Sequence, residues 1–259
     1  MADMAEPAEP ASFRTRLRAR QPLYGAWCTL PGGLSAELLA AGGVDYVVVD
    51  LQHGGTSEAD LPAALAGIIA AGAVPLVRPR RNDLTAIGRV LDLGAHGVVV
   101  PNVDSAEDAR RAAAACVYPP RGMRSYGQLR PAPEPACVVM IESVTAVTDV
   151  EAIAAVAGVD GLYVGPYDLG LSLGVEPGDI SAAQMASALD RVRAAAAAAS
   201  LPYGVHASTG TAAARWRGRG ATLLTVVGDA GALSAAVRAE LAGARADAPP
   251  ASDEDGTVG

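Results

Sequence analysis

Short apolar runs alternate with helix-forming segments along almost the whole chain, and this alternation constrains the fold most. Eight runs rich in Val, Leu and Ile have the character of strands, and a segment of helical character follows each one. The runs are continuously apolar, as expected for parallel strands that are buried on both faces. A length of 259 residues is typical of one eight-stranded β/α barrel. The sequence therefore predicts an α/β fold, a single (β/α)8 TIM-type barrel.

The predicted strands leave room for one domain and two terminal segments. They cover residues 25–29, 46–50, 74–78, 97–100, 137–141, 161–164, 201–205 and 223–227. Residues 21–245 are predicted as the barrel domain, residues 1–20 as a flexible N-terminal segment, and residues 246–259 as a disordered acidic tail. A single helix is predicted over residues 144–157 and a loop over residues 165–178. A doubly wound open sheet is the alternative, although no Gly-x-Gly-x-x-Gly motif follows the first strand.

The charge balance excludes several classes of partner. The formal net charge is −8 at pH 7, whereas a nucleic-acid-binding protein needs a basic surface. The basic run from Arg14 to Arg20 is interpreted as part of a solvated first helix. No uninterrupted apolar stretch of about 18 residues occurs in the sequence, so we expect no membrane span. The acidic, Pro- and Ala-rich start is unlike a signal peptide, and a cytoplasmic location is expected.

The chain contains no lysine; all twenty residues of the Lys and Arg class are arginines. A Schiff-base mechanism needs an amine that can lose its proton and attack a carbonyl group, whereas a guanidinium stays protonated. Lysine-dependent aldolases, pyridoxal-phosphate enzymes and Walker-type ATPases are therefore excluded. If the chain makes or breaks bonds beside a carbonyl group, a metal ion must accept the electron density.

Four predicted strands lead into polar side chains that can perform chemistry. They are His53 after the second strand, Arg78 at the end of the third, Glu142 after the fifth and Asp168 after the sixth. The C-terminal ends of parallel strands open onto one face of a barrel, so these side chains are expected to converge despite their separation in sequence. That combination is typical of a metal-assisted active site.

Glu142 and Asp168 are the candidate metal ligands. Hard divalent cations such as Mg²⁺ and Mn²⁺ prefer carboxylate oxygens and retain several waters, so two carboxylates suffice. Both residues follow strands that are predicted to be buried, where an unpaired charge is costly. For each residue alone, a position at a helix N-terminus is an equally good explanation. Their matching positions at two strand ends favour metal binding.

His53 is the candidate general base, because a neutral imidazole at the barrel mouth can accept a proton. Asp50 and Asp104 are the carboxylates that could orient it and raise the basicity of its other nitrogen. Asp104 has a competing interpretation as the N-cap of the following helix. His206, after the seventh strand, is a weaker candidate, and His96 lies at the opposite end of the predicted barrel.

Arg78 and the Gly165-Pro166 pair are the candidate substrate-binding residues. A guanidinium can hold a carboxylate at two points or stabilise an enolate oxygen. An ion pair with a carboxylate at the barrel mouth is the alternative role of Arg78, and the two roles can coexist. The glycine at 165 would let the backbone approach a bound ligand closely.

Five motifs follow one another in the chain with a shared resemblance. They are Asp50-Leu51-Gln52-His53-Gly54, Val77-Arg78-Pro79, Tyr118-Pro119-Pro120-Arg121-Gly122, Ile141-Glu142-Ser143 and Gly165-Pro166-Tyr167-Asp168-Leu169. Together they resemble the HpcH/HpaI aldolase family, which groups with citrate lyase β-subunit-like proteins. The similarity extends over residues 25–227.

The resemblance implies a class II, divalent-metal-dependent aldolase on a TIM barrel that uses pyruvate as its nucleophile. By position, it implies that Glu142 and Asp168 bind Mg²⁺, Mn²⁺ or Co²⁺ and that His53 is the base. Asp104 matches the acid that raises the basicity of that histidine, and Arg78 matches the residue that anchors pyruvate and stabilises its enolate. The expected reaction forms or cleaves 4-hydroxy-2-oxoacids with an aldehyde as the acceptor.

The resemblance also implies further contacts and partners. Met140 and Tyr167 fall where family members contact pyruvate, the latter through its backbone. Small-molecule substrates and a homo-oligomer, either a hexamer or a trimer of dimers, are expected. A citrate lyase-like enzyme that acts on an acyl-CoA thioester is the alternative activity, and a non-catalytic binding protein is the third interpretation.

Overall fold

The computed structural model describes residues 12–127, 129–130 and 132–246, which contain a closed parallel barrel. Its strands are, in chain order, β1 (Leu23–Cys28), β2 (Tyr46–Asp50), β3 (Val74–Arg78), β4 (Gly97–Val100), β5 (Ala136–Ile141), β6 (Gly161–Val164), β7 (Tyr203–Val205) and β8 (Leu223–Gly228). Each strand pairs in parallel with the next in sequence, and β8 pairs with β1 to close the barrel. The predicted α/β fold and its single (β/α)8 barrel are confirmed.

Helices lie in every connection between the strands. Those in the described ranges are α1 (Phe13–Arg18), α2 (Gly33–Ala41), α3 (Leu61–Ala70), α4 (Leu84–Asp92), α5 (Ala106–Cys116), α6 (Val144–Thr148), α7 (Val150–Ala154), α8 (Pro166–Leu173), α9 (Ala183–Ala198), α10 (Gly210–Gly218) and α11 (Asp229–Ala246). None of these helices is both long and apolar enough to cross a membrane.

The apolar core has two layers because alternate strand residues point in opposite directions. The outer layer packs the strands against the surrounding helices. The inner layer fills the barrel itself with large side chains, including Trp27, Tyr46, Met140 and Tyr163. A barrel of eight strands has an interior just wide enough for side chains to fill, so the lumen is a packed core and any site must lie at an end.

Helix α1 covers the N-terminal end of the barrel, and this differs from the predicted flexible segment over residues 1–20. Phe13 and Leu17 lie four residues apart, so they share one face of the helix. They insert below the lumen and are 4% and 0% exposed. Arg14 and Arg18, on another face, each bind Asp160. The prediction is wrong for residues 13–18, because it considered the arginines and overlooked the apolar pair between them. Residues 1–11 lie outside the described ranges.

Two predicted connections also differ from the structure. The helix predicted over 144–157 divides at Asp149, whose side chain accepts a hydrogen bond from the backbone of Ala106 at the start of α5. The loop predicted over 165–178 contains α8, which has Pro166 in its first turn and ends at Gly174 in the left-handed conformation. Proline favours the first turn of a helix and glycine its C-terminal end. The predicted acidic tail beyond Ala246 lies outside the described residues.

Candidate active site at the C-terminal end of the barrel

The C-terminal ends of the strands surround a pocket of about 390 Å³. Eight residues predicted for the site line it: Asp50, His53, Arg78, Met140, Gly165, Pro166, Tyr167 and Asp168. Trp27, Thr29 and His206 complete the lining. The parallel strands therefore bring together side chains that are more than 100 residues apart in the sequence, as the strand-end pattern predicts.

Arg78 and Asp50 form a buried pair on the floor of this pocket. They are register partners at the ends of β3 and β2, and they are 7% and 1% exposed. The Nε of Arg78 donates to Asp50 Oδ1 at 2.8 Å, and a second hydrogen bond joins Nη2 to Oδ2. This two-point contact matches the fork of the guanidinium to the carboxylate, so the direction of the guanidinium is fixed before any substrate binds.

Further donors stabilise the ionised form of Asp50. Burial raises its pKa, but the hydrogen bonds and charge of Arg78, together with bonds from the His53 backbone and the Trp27 ring, bring the pKa below its ordinary value. Trp27 Nε1 donates to Oδ2 at 3.3 Å, and the Arg78 guanidinium lies over the indole ring, 5.1 Å from its centroid. The alternative role for Arg78, an ion pair at the barrel mouth, is thus present in the structure.

Glu142 is buried behind the pocket with one oxygen unpaired. Its Oε1 accepts a hydrogen bond of 2.8 Å from the backbone N–H of Asn102, whose left-handed conformation (φ 56°) turns that N–H inward. Its Oε2 is buried and has no hydrogen-bond partner among the residues that the structure describes. Burial raises the pKa of Glu142 above its ordinary value, the Asn102 bond opposes this, and the charges of Asp168 and Asp104 raise the pKa further.

Asp168 comes to the same place from α8. It lies in the first turn of that helix and is exposed at the pocket. Between the two carboxylates, Gly165 leaves space that no other residue would leave. A Cβ at this position would lie 2.9 Å from Glu142 Oε2 and 3.1 Å from Met140 Cε. Gly165, which lines the pocket, therefore leaves room beside the buried Oε2 of Glu142.

These features fit a divalent cation. A buried carboxylate oxygen without a partner is costly, and neighbouring carboxylates increase the demand for a positive charge. Hard oxygen ligands are those that Mg²⁺ and similar ions prefer. No group of three or more His, Cys, Asp or Glu side chains in the described ranges is arranged to hold a metal ion. A cation bound here would therefore rely on Glu142, Asp168 and oxygens from substrate or water.

The expected support of His53 by Asp104 stays a prediction, and the structure shows the surroundings of each residue. His53 is exposed at the pocket, and its imidazole has no hydrogen bond to either Asp50 or Asp104 among the described residues. Asp104 instead accepts a hydrogen bond from Ser143. The alternative prediction for Asp104, an N-cap, is wrong because Ser105 caps α5 and accepts a bond from the backbone of Asp108.

Two functional positions were missed in the sequence. Trp27 reads as an ordinary strand residue, although it lines the pocket and contacts both members of the Arg78–Asp50 pair. Asp229 follows β8 in the same way as the predicted site residues follow their strands, so the strand-end pattern could have found it. It accepts hydrogen bonds from Thr29, Leu30 and Ser35, and thereby holds the loop after β1 against the pocket.

The fold and the pocket define a TIM-barrel enzyme whose site is formed by the C-terminal ends of its strands. Residues 24–235 match the family described as HpcH/HpaI aldolase/citrate lyase. The chain is 37% identical to a hydroxypyruvate/pyruvate aldolase from Rhizorhabdus wittichii, covering 90% of this chain and 98% of that protein. It is 33% identical to a 5-keto-4-deoxy-D-glucarate aldolase from Klebsiella pneumoniae, with coverages of 88% and 94%.

A solved structure agrees with the sequence comparisons. A HpcH/HpaI aldolase/citrate lyase family protein from Burkholderia cenocepacia superposes with a TM-score of 0.84 at 34% identity, covering 90% of this chain and 98% of that one. The chain belongs to the HpcH/HpaI aldolase/citrate lyase family. Membership of this family supports carbon–carbon lyase chemistry for the chain.

Proposed function

We propose that this protein is a divalent-metal-dependent aldolase that forms or cleaves 4-hydroxy-2-oxoacids through the enolate of pyruvate. The observation that carries the proposal is the buried Glu142 oxygen that has no hydrogen-bond partner among the described residues, in a carboxyl group whose pKa the nearby charge of Asp168 helps to raise. The absence of lysine from the sequence rules out a Schiff base as the electron acceptor. The relatives that share most of the chain's length are named as aldolases.

Glu142 and Asp168 would hold the cation, which we propose is Mg²⁺, Mn²⁺ or Co²⁺. When bound, such an ion supplies a Lewis acid that polarises a carbonyl group and makes the neighbouring methyl protons more acidic. The two carboxylates provide two negative charges for a dication. Binding would also give the buried Oε2 of Glu142 a partner and so remove the free-energy cost of leaving it without one.

Arg78 would bind the oxoacid and stabilise negative charge on its oxygen. Asp50 and Trp27 hold the guanidinium in one position, and a preorganised donor costs no rearrangement when charge develops. Because Asp50 occupies Nε and Nη2 of Arg78, the remaining N–H donors are the ones available to substrate. Met140, Pro166 and the backbone at Tyr167 would line the space for the methyl group and carboxylate.

His53 would move the proton. It is exposed at the pocket, so its imidazole can reach a methyl group of bound substrate and return the proton in the cleavage direction. Its backbone N–H donates to Asp50 Oδ1 at 3.2 Å, which ties the histidine loop to the Arg78 pair. Support of His53 by Asp104 stays a prediction from the resemblance.

The proposal is tested by proton exchange at the methyl group of pyruvate, measured by NMR in D₂O without any aldehyde. We expect exchange with Mg²⁺, Mn²⁺ or Co²⁺ and none after EDTA treatment. His53→Ala should abolish it, because the base is removed. His96→Ala is the matched control, since His96 precedes β4 at the other end of the barrel, and it should retain exchange.

Absence of exchange with every metal would overturn the pyruvate-aldolase proposal. Cleavage of a carbon–carbon bond in the acyl group of an acyl-CoA, with the thioester left intact, would then favour the citrate lyase-like alternative. Failure of both assays, with intact folding, would favour the non-catalytic interpretation. Equal loss of exchange in His53→Ala and His96→Ala would remove His53 from its role as base.

We also propose that the protein forms a homo-oligomer, a hexamer or a trimer of dimers. Every residue of α11 after Ala230 is exposed, including Leu233, Val237 and Leu241, which are spaced by four and share one helix face. Leu34 and Leu38 on α2 are also exposed beside it. Such an apolar surface is typical of an interface. Val237→Glu should lower the molar mass measured by light scattering, whereas Arg238→Glu should not.

The remaining expectations stay predictions from the sequence. They are small-molecule substrates, no nucleic-acid partner, no membrane partner and a cytoplasmic location.

A further inference from the structure

A second histidine, His206, lines the same pocket and is not used in the proposed aldolase mechanism. It follows β7, where its backbone N–H donates to the carbonyl of Val164 at 3.0 Å. Its ring meets the Trp27 ring edge to face, with centroids 4.9 Å apart and an interplanar angle of 83°. Because Trp27 also stacks on Arg78, His206 lies one side chain away from the group that would bind the oxoacid.

Two buried hydroxyl groups approach one side of the His206 ring. Tyr163 Oη lies 3.2 Å from His206 Nδ1 and 2.5 Å from Thr225 Oγ1. Tyr163 and Thr225 are 1% and 0% exposed, so water does not compete for these bonds. The chain of contacts runs from the interior of the barrel to the imidazole that faces the pocket.

The direction of these hydrogen bonds follows from donor and acceptor strength. A phenol is the strongest donor among the three groups, and an imidazole nitrogen is a better acceptor than a phenol oxygen. Tyr163 therefore donates to Nδ1 of His206, and Thr225 donates to the oxygen of Tyr163. This arrangement places the single ring proton of a neutral histidine on Nε2, the nitrogen on the far side of the ring from Tyr163.

The environment keeps His206 neutral. Burial lowers the pKa of its imidazole to about 4, with a further lowering by the charge of Arg78 and a partial opposing effect of Asp50. At neutral pH the ring therefore has one N–H donor and no positive charge. Its role is that of a fixed neutral donor, in contrast to the exposed histidine at position 53.

We propose that His206 binds the acceptor aldehyde through Nε2–H and selects short aldehydes that carry a hydroxyl group beside the carbonyl. This inference rests on the proposed aldolase function. Arg78 and the carboxylate pair already serve the oxoacid, and the hydroxyl group of Thr29 already donates to Asp229. His206 is a buried, positioned polar side chain of the pocket lining that is left for the second substrate. A site built to hydrogen-bond a hydroxyl group discriminates strongly against an analogue that lacks it.

Two variants separate this role from a purely structural one. In His206→Asn the amide can replace Nδ1 as a partner of Tyr163 but does not reach the position of Nε2. In His206→Gln the longer side chain can place an N–H donor near Nε2. Both variants remove the ring contact with Trp27, so a structural defect would affect them alike, and thermal unfolding of each variant checks the fold.

The test compares glycolaldehyde with acetaldehyde as acceptors for pyruvate, using kcat/KM for each aldehyde. We expect the wild-type protein to prefer glycolaldehyde, His206→Asn to lose that preference by about tenfold or more, and His206→Gln to keep most of it. Pyruvate methyl exchange in D₂O is measured for all three proteins and reports any indirect change at the oxoacid half of the site. Such a change would affect both aldehydes alike, so it cancels in the ratio of their kcat/KM values.

Other outcomes overturn the proposal in distinguishable ways. An unchanged preference in His206→Asn, with exchange intact, would show that His206 does not read the acceptor and would leave the aldolase function standing. Equal losses with both aldehydes in both variants would assign His206 to packing. Absence of exchange in the wild-type protein would overturn the aldolase function and this inference together.

Discussion

The two ends of the barrel each contain a buried carboxylate, and the two carboxylates are treated in opposite ways. At the N-terminal end, Asp160 is 0% exposed and binds Arg14, Arg18 and the backbone N–H of Cys137. At the C-terminal end, Glu142 is nearly as buried, yet its Oε2 has no hydrogen-bond partner among the described residues. A satisfied buried charge supports the fold, whereas an unsatisfied one is retained for a ligand.

Removal of the unsatisfied charge should produce the largest effect. Glu142→Gln keeps an oxygen for the Asn102 N–H but removes the charge that the cation needs. We expect metal-dependent pyruvate exchange to fall by about three orders of magnitude, ~4 kcal/mol in barrier. The free energy of unfolding of the metal-free variant, measured with urea, should be equal to or higher than that of the wild type. A large loss of stability would contradict the contrast between the two ends.

Removal of the satisfied charge of Asp160 should lower stability and leave activity unchanged. Asp160→Asn removes one of the two carboxylates that pair with the half-buried Arg14, and Glu134 stays as its ionic partner among the described residues. Breaking a buried ion pair costs about 3 kcal/mol or more, although the half-exposed Arg18 contributes less to that cost. Urea unfolding should show this loss, while exchange per folded molecule stays at the wild-type level. A drop in exchange per folded molecule would show that the N-terminal end also affects the chemistry.

A methyl group beside Glu142 should have a smaller effect on activity than loss of its charge. In Gly165→Ala the new Cβ would lie 2.9 Å from Glu142 Oε2, so the carboxylate must shift. We expect about a tenfold loss of exchange and a weaker response to metal concentration. Gly231→Ala is the matched control, because nothing lies within 4 Å of its added Cβ. Equal behaviour of the two variants would show that the space beside Glu142 Oε2 at Gly165 does not matter for activity.

The Arg78–Asp50 pair sharpens the comparison, because it is a satisfied ion pair at the functional end. Hydrogen bonds and the charge of Arg78 overcome the effect of burial and hold the pKa of Asp50 below its ordinary value of 3.8. A lowered pKa stabilises the folded state above that value, and the contribution is lost as pH falls through the native pKa.

The stability difference between wild type and Asp50→Asn is therefore expected to be constant well above pH 3.8 and to shrink as the pH falls below 3.8 through the native pKa of Asp50. Urea unfolding at a series of pH values measures this difference. A difference that grows as pH falls would mean that Asp50 is not a stabilising ionised group.

The strand pattern predicted the barrel well because its information is local. The predicted ranges of β2, β3, β4 and β6 agree with the structure to the residue. Each is an apolar run that ends in a polar residue or is followed at once by a glycine or a proline. Helix α8 was missed because glycine and proline residues lie at both of its ends. These residues are common in loops, but they are also common at the start and the end of a helix, and the sequence alone does not distinguish the two cases.

The sequence predicted which residues lie at the site but not which side chains bind one another there. Strand ends converge by topology alone, which is why Arg78, Glu142 and Asp168 were found. Which partner each side chain takes depends on angles and distances that the sequence does not contain. The hydrogen bond that Asp104 accepts from Ser143 was therefore not predicted. The burial of Trp27 beside Asp50 could not be inferred from a strand that is apolar throughout.

The docking of α1 has a consequence for how the chain is made. Phe13 and Leu17 leave the ribosome before any strand of the barrel, but the carboxylate that anchors their helix, Asp160, follows Arg14 by 146 residues. The strand that completes the wall, β8, comes later still. Until β8 is made, the nascent chain cannot form the β8–β1 pairing that closes the barrel, and the side chains of the lumen stay accessible to water. Productive folding must wait for nearly the whole chain, so incomplete chains are the form in which this protein most needs chaperones.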